Sequence, residues 1–175
     1  MADEIPQVEL RHVTKSFGNR RVLDRVSLAV PRGRSLCILG RSGTGKSVTL
    51  KHIVGLVKPD EGRILIAGED TTAMASHDLS RVRKQIGFLF QNAALFDSIT
   101  VGENVAFPLR RHTTLSVAQV QERARQLLTE VGLGDEYEAM PADLSGGMRK
   151  RAGLARALAL EPSILLADEP SAGLD

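Results

Sequence analysis

The run Gly40-Arg41-Ser42-Gly43-Thr44-Gly45-Lys46-Ser47 matches G-x-x-x-x-G-K-[ST] at every fixed position. Small residues at these places let successive backbone N–H groups curl around phosphate oxygens, and the positive end of a following helix adds to the attraction. In such a loop Lys46 neutralises the β and γ phosphates, and the Ser47 hydroxyl holds Mg²⁺. The chemistry implied is the binding of a nucleoside triphosphate. A flexible turn is the bland alternative, and it explains neither the lysine nor the flanking sequence. An apolar run, residues 35–39 (SLCIL), precedes the loop and a helix-forming stretch follows it.

A second constellation is Ile164-Leu165-Leu166-Ala167-Asp168-Glu169, four apolar residues and then two carboxylates. A buried strand that ends in acids delivers them to the crevice where ligands sit in open α/β sheets. Asp168 is placed to hold the Mg²⁺ shell, and Glu169 to polarise an attacking water as general base. Alone the pattern is weak, but beside a phosphate loop it is strong. A third, Leu144-Ser145-Gly146-Gly147-Met148, sets a capping serine and two glycines at a helix start. Free N–H groups there make a second anion site; a plain N-cap would account for Ser145 but not for both glycines.

These sites need elements to position them. Residues 8–17 and 22–30 are rich in Val and Leu and are separated by Gly18-Asn19, which predicts two strands around a turn. Residues 35–39 read as a strand buried on both faces, with Cys37 as a core thiol. A helix is expected over 46–56, strands over 63–67 and 86–90, and a helix over 78–84. Ser116 and Gln119 have capping-box spacing, and Val117, Val120, Ala124, Leu127, Leu128 and Val131 recur at offsets of three and four. That predicts an amphipathic helix ended by Gly132. Another runs from Ser145 to about Leu160, with Met148, Ala152, Ala155 and Ala159 on one face and Pro162 beyond. The basic run Arg149-Lys150-Arg151, with Arg156, reads as a solvated face of that helix. Strand, loop, helix and strand again imply an α/β core with parallel strands and a helical insertion over about 92–160.

Composition limits the partners. Apolar residues make up 42% of the 175 and charged residues 25%, as in a folded globular chain rather than a disordered one. A formal net charge of +2 does not suggest a polyanion-binding surface. One cysteine excludes an internal disulfide, and His12, His52, His77 and His112 lack metal-ligand spacing. No segment approaches the ~18 consecutive apolar residues of a membrane span, and residues 1–7 lack the apolar core of a secretory signal.

The third motif resembles the signature sequence of ATP-binding-cassette (ABC) ATPases, and its place shortly before Asp168-Glu169 fits that family. The resemblance covers essentially the whole chain. It implies an α/β, P-loop NTPase (RecA-like) core with an N-terminal antiparallel β subdomain and a helical insertion, the C-terminal part being absent. In those terms the chain is one truncated nucleotide-binding domain over 1–175. Residues 1–91 and 161–175 would form the ATP-binding core with its β subdomain, and 92–160 the helical subdomain with the signature. Gln91 then looks like the Q-loop glutamine that touches Mg²⁺, and Phe17 like the aromatic that stacks on adenine. Nucleotide contacts run from Gly40 to Val48 and again over Ser145, Gly146 and Gly147. Ala172-Gly173-Leu174-Asp175 resembles the D-loop.

Residues 89–113 and 140–162 look closer still to the ATPases of Mla-type and Mce-associated phospholipid transporters, which share methionine at the place of Met148. The implied cofactors are ATP and Mg²⁺. The implied partners are a second copy in a head-to-tail ATP sandwich, an integral membrane permease and a periplasmic Mce-type lipid-binding subunit, with no nucleic acid. The implied location is peripheral, on the cytoplasmic face of the inner membrane. Sterols or organic solvents are alternative substrates within the subgroup. A GTPase is excluded because Asn-Lys-x-Asp is missing. A DNA-repair ABC ATPase would carry a long coiled coil or zinc modules between Gln91 and Leu144, and a small-molecule kinase would lack 144–147. Relatives continue into another strand and a switch histidine, and no histidine follows Glu169. A polypeptide ending at Asp175 is therefore expected to be an inactive nucleotide-binding fragment with an open sheet edge.

Overall fold

The computed structural model describes residues 5–170. The chain divides into two compact units, Met1–Arg83 and Lys84–Asp175.

In the first unit, β1 (Val8–Phe17) and β2 (Arg20–Val30) form a hairpin. β3 (Glu61–Ile66) and a short β4 (Glu69–Asp70) complete an antiparallel sheet in the order β2-β1-β3-β4. Its apolar face is built by alternation: Val8, Leu10, Ile64 and Ile66 are all buried, with Leu10 opposite Ile64 in the ladder. Helix α1 (Lys46–Ile53) follows the glycine-rich loop, and α2 (Ser76–Arg83) closes the unit. Arg83 joins them by donating to the carbonyls of Val54 and Gly55 at 3.0 and 2.8 Å.

Residues 35–39 correct the expectation of a doubly buried strand. They form no strand, Leu36 and Leu39 are exposed, and Cys37 is an exposed thiol rather than a core one. An apolar run becomes a strand only where a neighbour pairs its N–H and C=O groups, and no described residue does so here.

In the second unit, β5 (Ile86–Leu89) and β6 (Ile164–Ala167) pair in parallel, Ile86 opposite Ile164 and Leu89 opposite Ala167. Between them lie α3 (Val101–His112), α4 (Val117–Glu130) and α5 (Gly146–Leu158), with two 3₁₀ turns at Gly134–Glu136 and Pro141–Asp143. Capping boxes start α3 at Thr100 and Glu103 and α4 at Ser116 and Gln119. The three helices share one core: Val101 and Val105, Ala124 and Leu128, and Ala152 and Ala155 are fully buried. Val117, counted in the apolar stripe of α4, is instead 73% exposed in its first turn. No helix among the described residues is long and apolar enough to cross a membrane.

Candidate active site

The phosphate loop belongs to the first unit and is shaped by its own residues. Thr44 donates from Oγ1 to the Arg41 carbonyl at 2.8 Å, and the Lys46 ammonium donates to the carbonyls of Gly40 and Arg41 at 2.9 and 3.1 Å. Gly45 is the N-cap of α1 with φ of 98°, a conformation that disfavours a side chain. A Cβ there would lie 2.8 Å from Leu23 and 3.1 Å from the Val22 carbonyl, so β2 packs on bare backbone. Ser47 and Val48 lie in the first turn of α1.

Arg20 ties the hairpin to the loop through a 3.2 Å bond to the Gly43 carbonyl. Phe17 pairs with Arg20 at the hairpin end, and its ring is half exposed with the Lys15 ammonium 5.6 Å from its centroid. An apolar face is therefore open near the loop. Behind it, His52 is buried, its Nδ1 2.7 Å from the Val48 carbonyl and its Nε2 without a partner among the described residues. Burial pushes this imidazole below its ordinary pKa.

In the second unit β5 and β6 end side by side, and Asp168 continues the ladder by donating its N–H to the Leu89 carbonyl at 2.9 Å. Asp168 is buried. Two residues beyond the last strand pair, Leu89 and Ala167, Gln91 donates from Nε2 to Glu169 Oε2 at 2.9 Å. The parallel register thus joins two side chains that lie far apart in sequence. Glu169 has φ of 48°, and Ala93 and Ala94, just past Gln91, have φ of 58° and 52°. Both turns therefore hold L-residues in the left-handed region.

The start of α5 is exposed at Ser145 and Gly146, and the Ser145 hydroxyl accepts from the Met148 N–H at 3.2 Å. The plain capping role is therefore real, and helix geometry leaves the other first-turn N–H groups without intrahelical partners. A family model described as ABC transporter matches residues 23–172, which takes in all three motifs. The chain belongs to the ABC transporter family.

Among ABC relatives, a probable ribonucleotide transport ATP-binding protein, mkl of Mycobacterium leprae, is 47% identical over 96% of this chain and 48% of its own length. The intermembrane phospholipid transport system ATP-binding protein MlaF of Escherichia coli K12 is 46% identical over 96% of this chain and 62% of its own. The chain spans about half to two thirds of the length of these curated relatives. A dimeric bacterial ABC transporter cassette, MJ0796, superposes with a TM-score of 0.91 at 36% identity, covering 96% of this chain and 76% of that one. The same cassette in a post-hydrolysis state with ADP and Pi gives 0.90. The fold is that of a P-loop NTPase cassette of the ABC type.

In this ABC chain the residues resembling the D-loop lie outside those described. The basic run of α5 departs from the solvated face expected of it. Arg149 and Arg151 are exposed, but Lys150 is 9% exposed and Arg156 is part-buried. Carbonyls turned toward the helix by the two left-handed turns supply the reason: Lys150 reaches those of Glu169 and Pro170, and Arg156 those of Ala93 and Ala94. Arg20 was likewise invisible as a loop contact, because nothing in a strand's composition reports what its side chain reaches across a fold.

Proposed function

We propose that this chain is the nucleotide-binding part of an ATP-hydrolysing subunit that powers an ABC transporter, and that its cargo is phospholipid or a related lipid. The observation that carries the reading is the Gln91–Glu169 pair at the end of the parallel β5–β6 ladder, in a chain that also holds a complete phosphate loop. Glu169 acts as general base toward water. Lys46 and the loop N–H groups hold the phosphates, Phe17 meets the adenine, and Ser145, Gly146 and Gly147 offer an anion site to the nucleotide of a second copy.

Ser47 of the first unit, and Gln91 and Asp168 of the second, would each serve Mg²⁺, and their donor chemistry fits that ion. All three offer hard oxygen donors, and Mg²⁺ takes few protein ligands besides phosphate oxygens and water. Bound there, the ion would supply charge neutralisation at the transferring phosphoryl group. Head-to-tail pairing of two copies is supported by the dimeric cassettes that this chain resembles. The lipid cargo is supported by the likeness to MlaF, whereas the likeness to mkl points to ribonucleotides as the second reading.

A membrane permease would dock on the aromatic patch of the second unit, and a periplasmic Mce-type lipid-binding subunit would complete the system at the inner membrane. Phe96 and Phe107 are each nearly half exposed with ring centroids 5.2 Å apart. They line a cavity of about 290 Å³ with Phe88, Phe90, Pro108 and Arg156. Buried Asn104 holds the segment in place, accepting from the Phe96 N–H at 2.8 Å and donating to the Phe96 and Thr100 carbonyls at 3.0 Å each. Replacing Phe96 with Asp in the full-length protein should release it from the membrane fraction and leave ATP binding intact. Retained membrane attachment with collapsed ATP binding would instead make Phe96 a core residue.

A further inference from the structure

The two turns that carry Gln91 and Glu169 share an unusual construction. Each contains L-residues with positive φ, Ala93 and Ala94 in one and Glu169 in the other. Such residues crowd Cβ against the following carbonyl, so the turn persists only where its surroundings hold it. In both cases the holder is a cation on α5. Arg156 donates from Nη1 to the Ala94 carbonyl and from Nη2 to the Ala93 carbonyl, both at 2.8 Å. Lys150 donates from Nζ to the carbonyls of Glu169 and Pro170 at 3.1 and 3.3 Å.

We propose that Lys150 and Arg156 are positioning residues for ATP hydrolysis, each fixing through backbone carbonyls the turn that carries one member of the Gln91–Glu169 pair. The inference rests on the ATPase reading of that pair given above. The planar fork of Arg156 spans two successive carbonyls, which a single ammonium would do less rigidly. Burial lowers the pKa of this guanidinium, and its face-on neighbour is the Phe96 ring, 6.0 Å from centroid to Cζ. Charge so placed is costly unless its donors are used, and the two turn carbonyls use them. Gly153 allows the approach: a Cβ there would lie 3.0 Å from Ala93 Cβ and 3.2 Å from Ala93 Cα. One helix therefore sets both turns. Because α5 begins at Ser145, Gly146 and Gly147, a displacement at that end would reach Gln91 and Glu169 together.

The test uses full-length protein solubilised from its own membranes, with Glu169→Gln as reference. Lys150→Met, Arg156→Met, Arg156→Lys and Gly153→Ala are compared for kcat, KM for Mg-ATP, equilibrium ATP affinity and melting temperature. Misplacing a reacting group by a fraction of its contact distance costs ~10-fold or more in kcat, so both methionine variants and Gly153→Ala should lose at least that. Arg156→Lys should recover part of it, and KM and ATP affinity should stay within about twofold, since the phosphate loop is untouched. Wild-type kcat in the folded variants overturns the proposal, as does a kcat loss that only follows the loss of folded protein. If Glu169→Gln itself turns over normally, the ATPase reading of the pair fails. If Glu169→Gln is dead and the α5 variants are not, only the positioning role fails.

Discussion

The phosphate loop and the Gln91–Glu169 pair reach their geometry by opposite routes. The loop's side chains bond close by, Thr44 to Arg41 and Lys46 to Gly40 and Arg41, with Arg20 of the adjoining hairpin reaching the Gly43 carbonyl. The pair joins residues 78 apart in sequence, and Arg156 reaches 62 and 63 residues back to hold the turn beside Gln91. Such a loop needs its own letters, a helix to follow and the neighbouring hairpin that packs on Gly45 and reaches Gly43. An acid on a strained turn needs a sheet register and a helix brought from elsewhere. Damage to the first should appear in nucleotide binding, and damage to the second in turnover.

The largest break in that contrast should come from Lys46→Ala. Removing charge-assisted bonds to phosphate costs roughly 1.5–3 kcal/mol, so ATP affinity should fall about 10- to 100-fold by equilibrium titration. Unchanged affinity would remove the loop from the binding site. Gly45→Ala attacks the same loop through shape alone, forcing a Cβ onto Leu23 and the Val22 carbonyl at a φ of 98°. Strain of this kind costs about 1–3 kcal/mol, so affinity should drop on the order of 10-fold while the charges remain in place. An affinity equal to wild type would mean that the loop does not depend on this packing.

The smallest effect concerns acid. His52 is buried behind the loop with its pKa lowered by desolvation, so the unfolded chain binds a proton that the folded chain refuses. Its contribution to stability is complete above the unfolded value, near ~6.5, and is lost as pH falls below it toward the folded value. Melting temperature should therefore decline between neutral and mildly acid pH, and His52→Leu should flatten that decline. An identical slope in both proteins would show that other groups govern it.

The contrast also explains what could be read in advance. The hairpin, the capping box of α4 and the helix after Ser145 rest on local chemistry, and they stand where the sequence put them. The capping box at Thr100 and Glu103 was equally local and marks α3, a helix that carries Pro108, a residue that ordinarily breaks one, in its interior. Residues 35–39 misled because an apolar run specifies burial only together with a partner strand. Cys37 followed them into solvent. Lys150 and Arg156 misled for the opposite reason. A cation on a helix is ordinarily solvated, and nothing nearby in sequence reveals the carbonyls that draw these two inward. At the candidate site the motifs were legible residue by residue, whereas the hydrogen bond between Gln91 and Glu169 depended on the β5–β6 register.

The central claim is that binding and hydrolysis are separable, with Glu169 serving only the second. It is tested most directly by measuring ATP affinity and phosphate release side by side for wild-type and Glu169→Gln full-length protein, with Lys46→Ala as the control for contaminating ATPases. The account predicts affinity within a few-fold of wild type and release reduced by ~10²-fold or more, because general-base catalysis is what the substitution removes. Phosphate release within a factor of a few of wild type, sustained in Glu169→Gln and absent from the Lys46→Ala control, would contradict it.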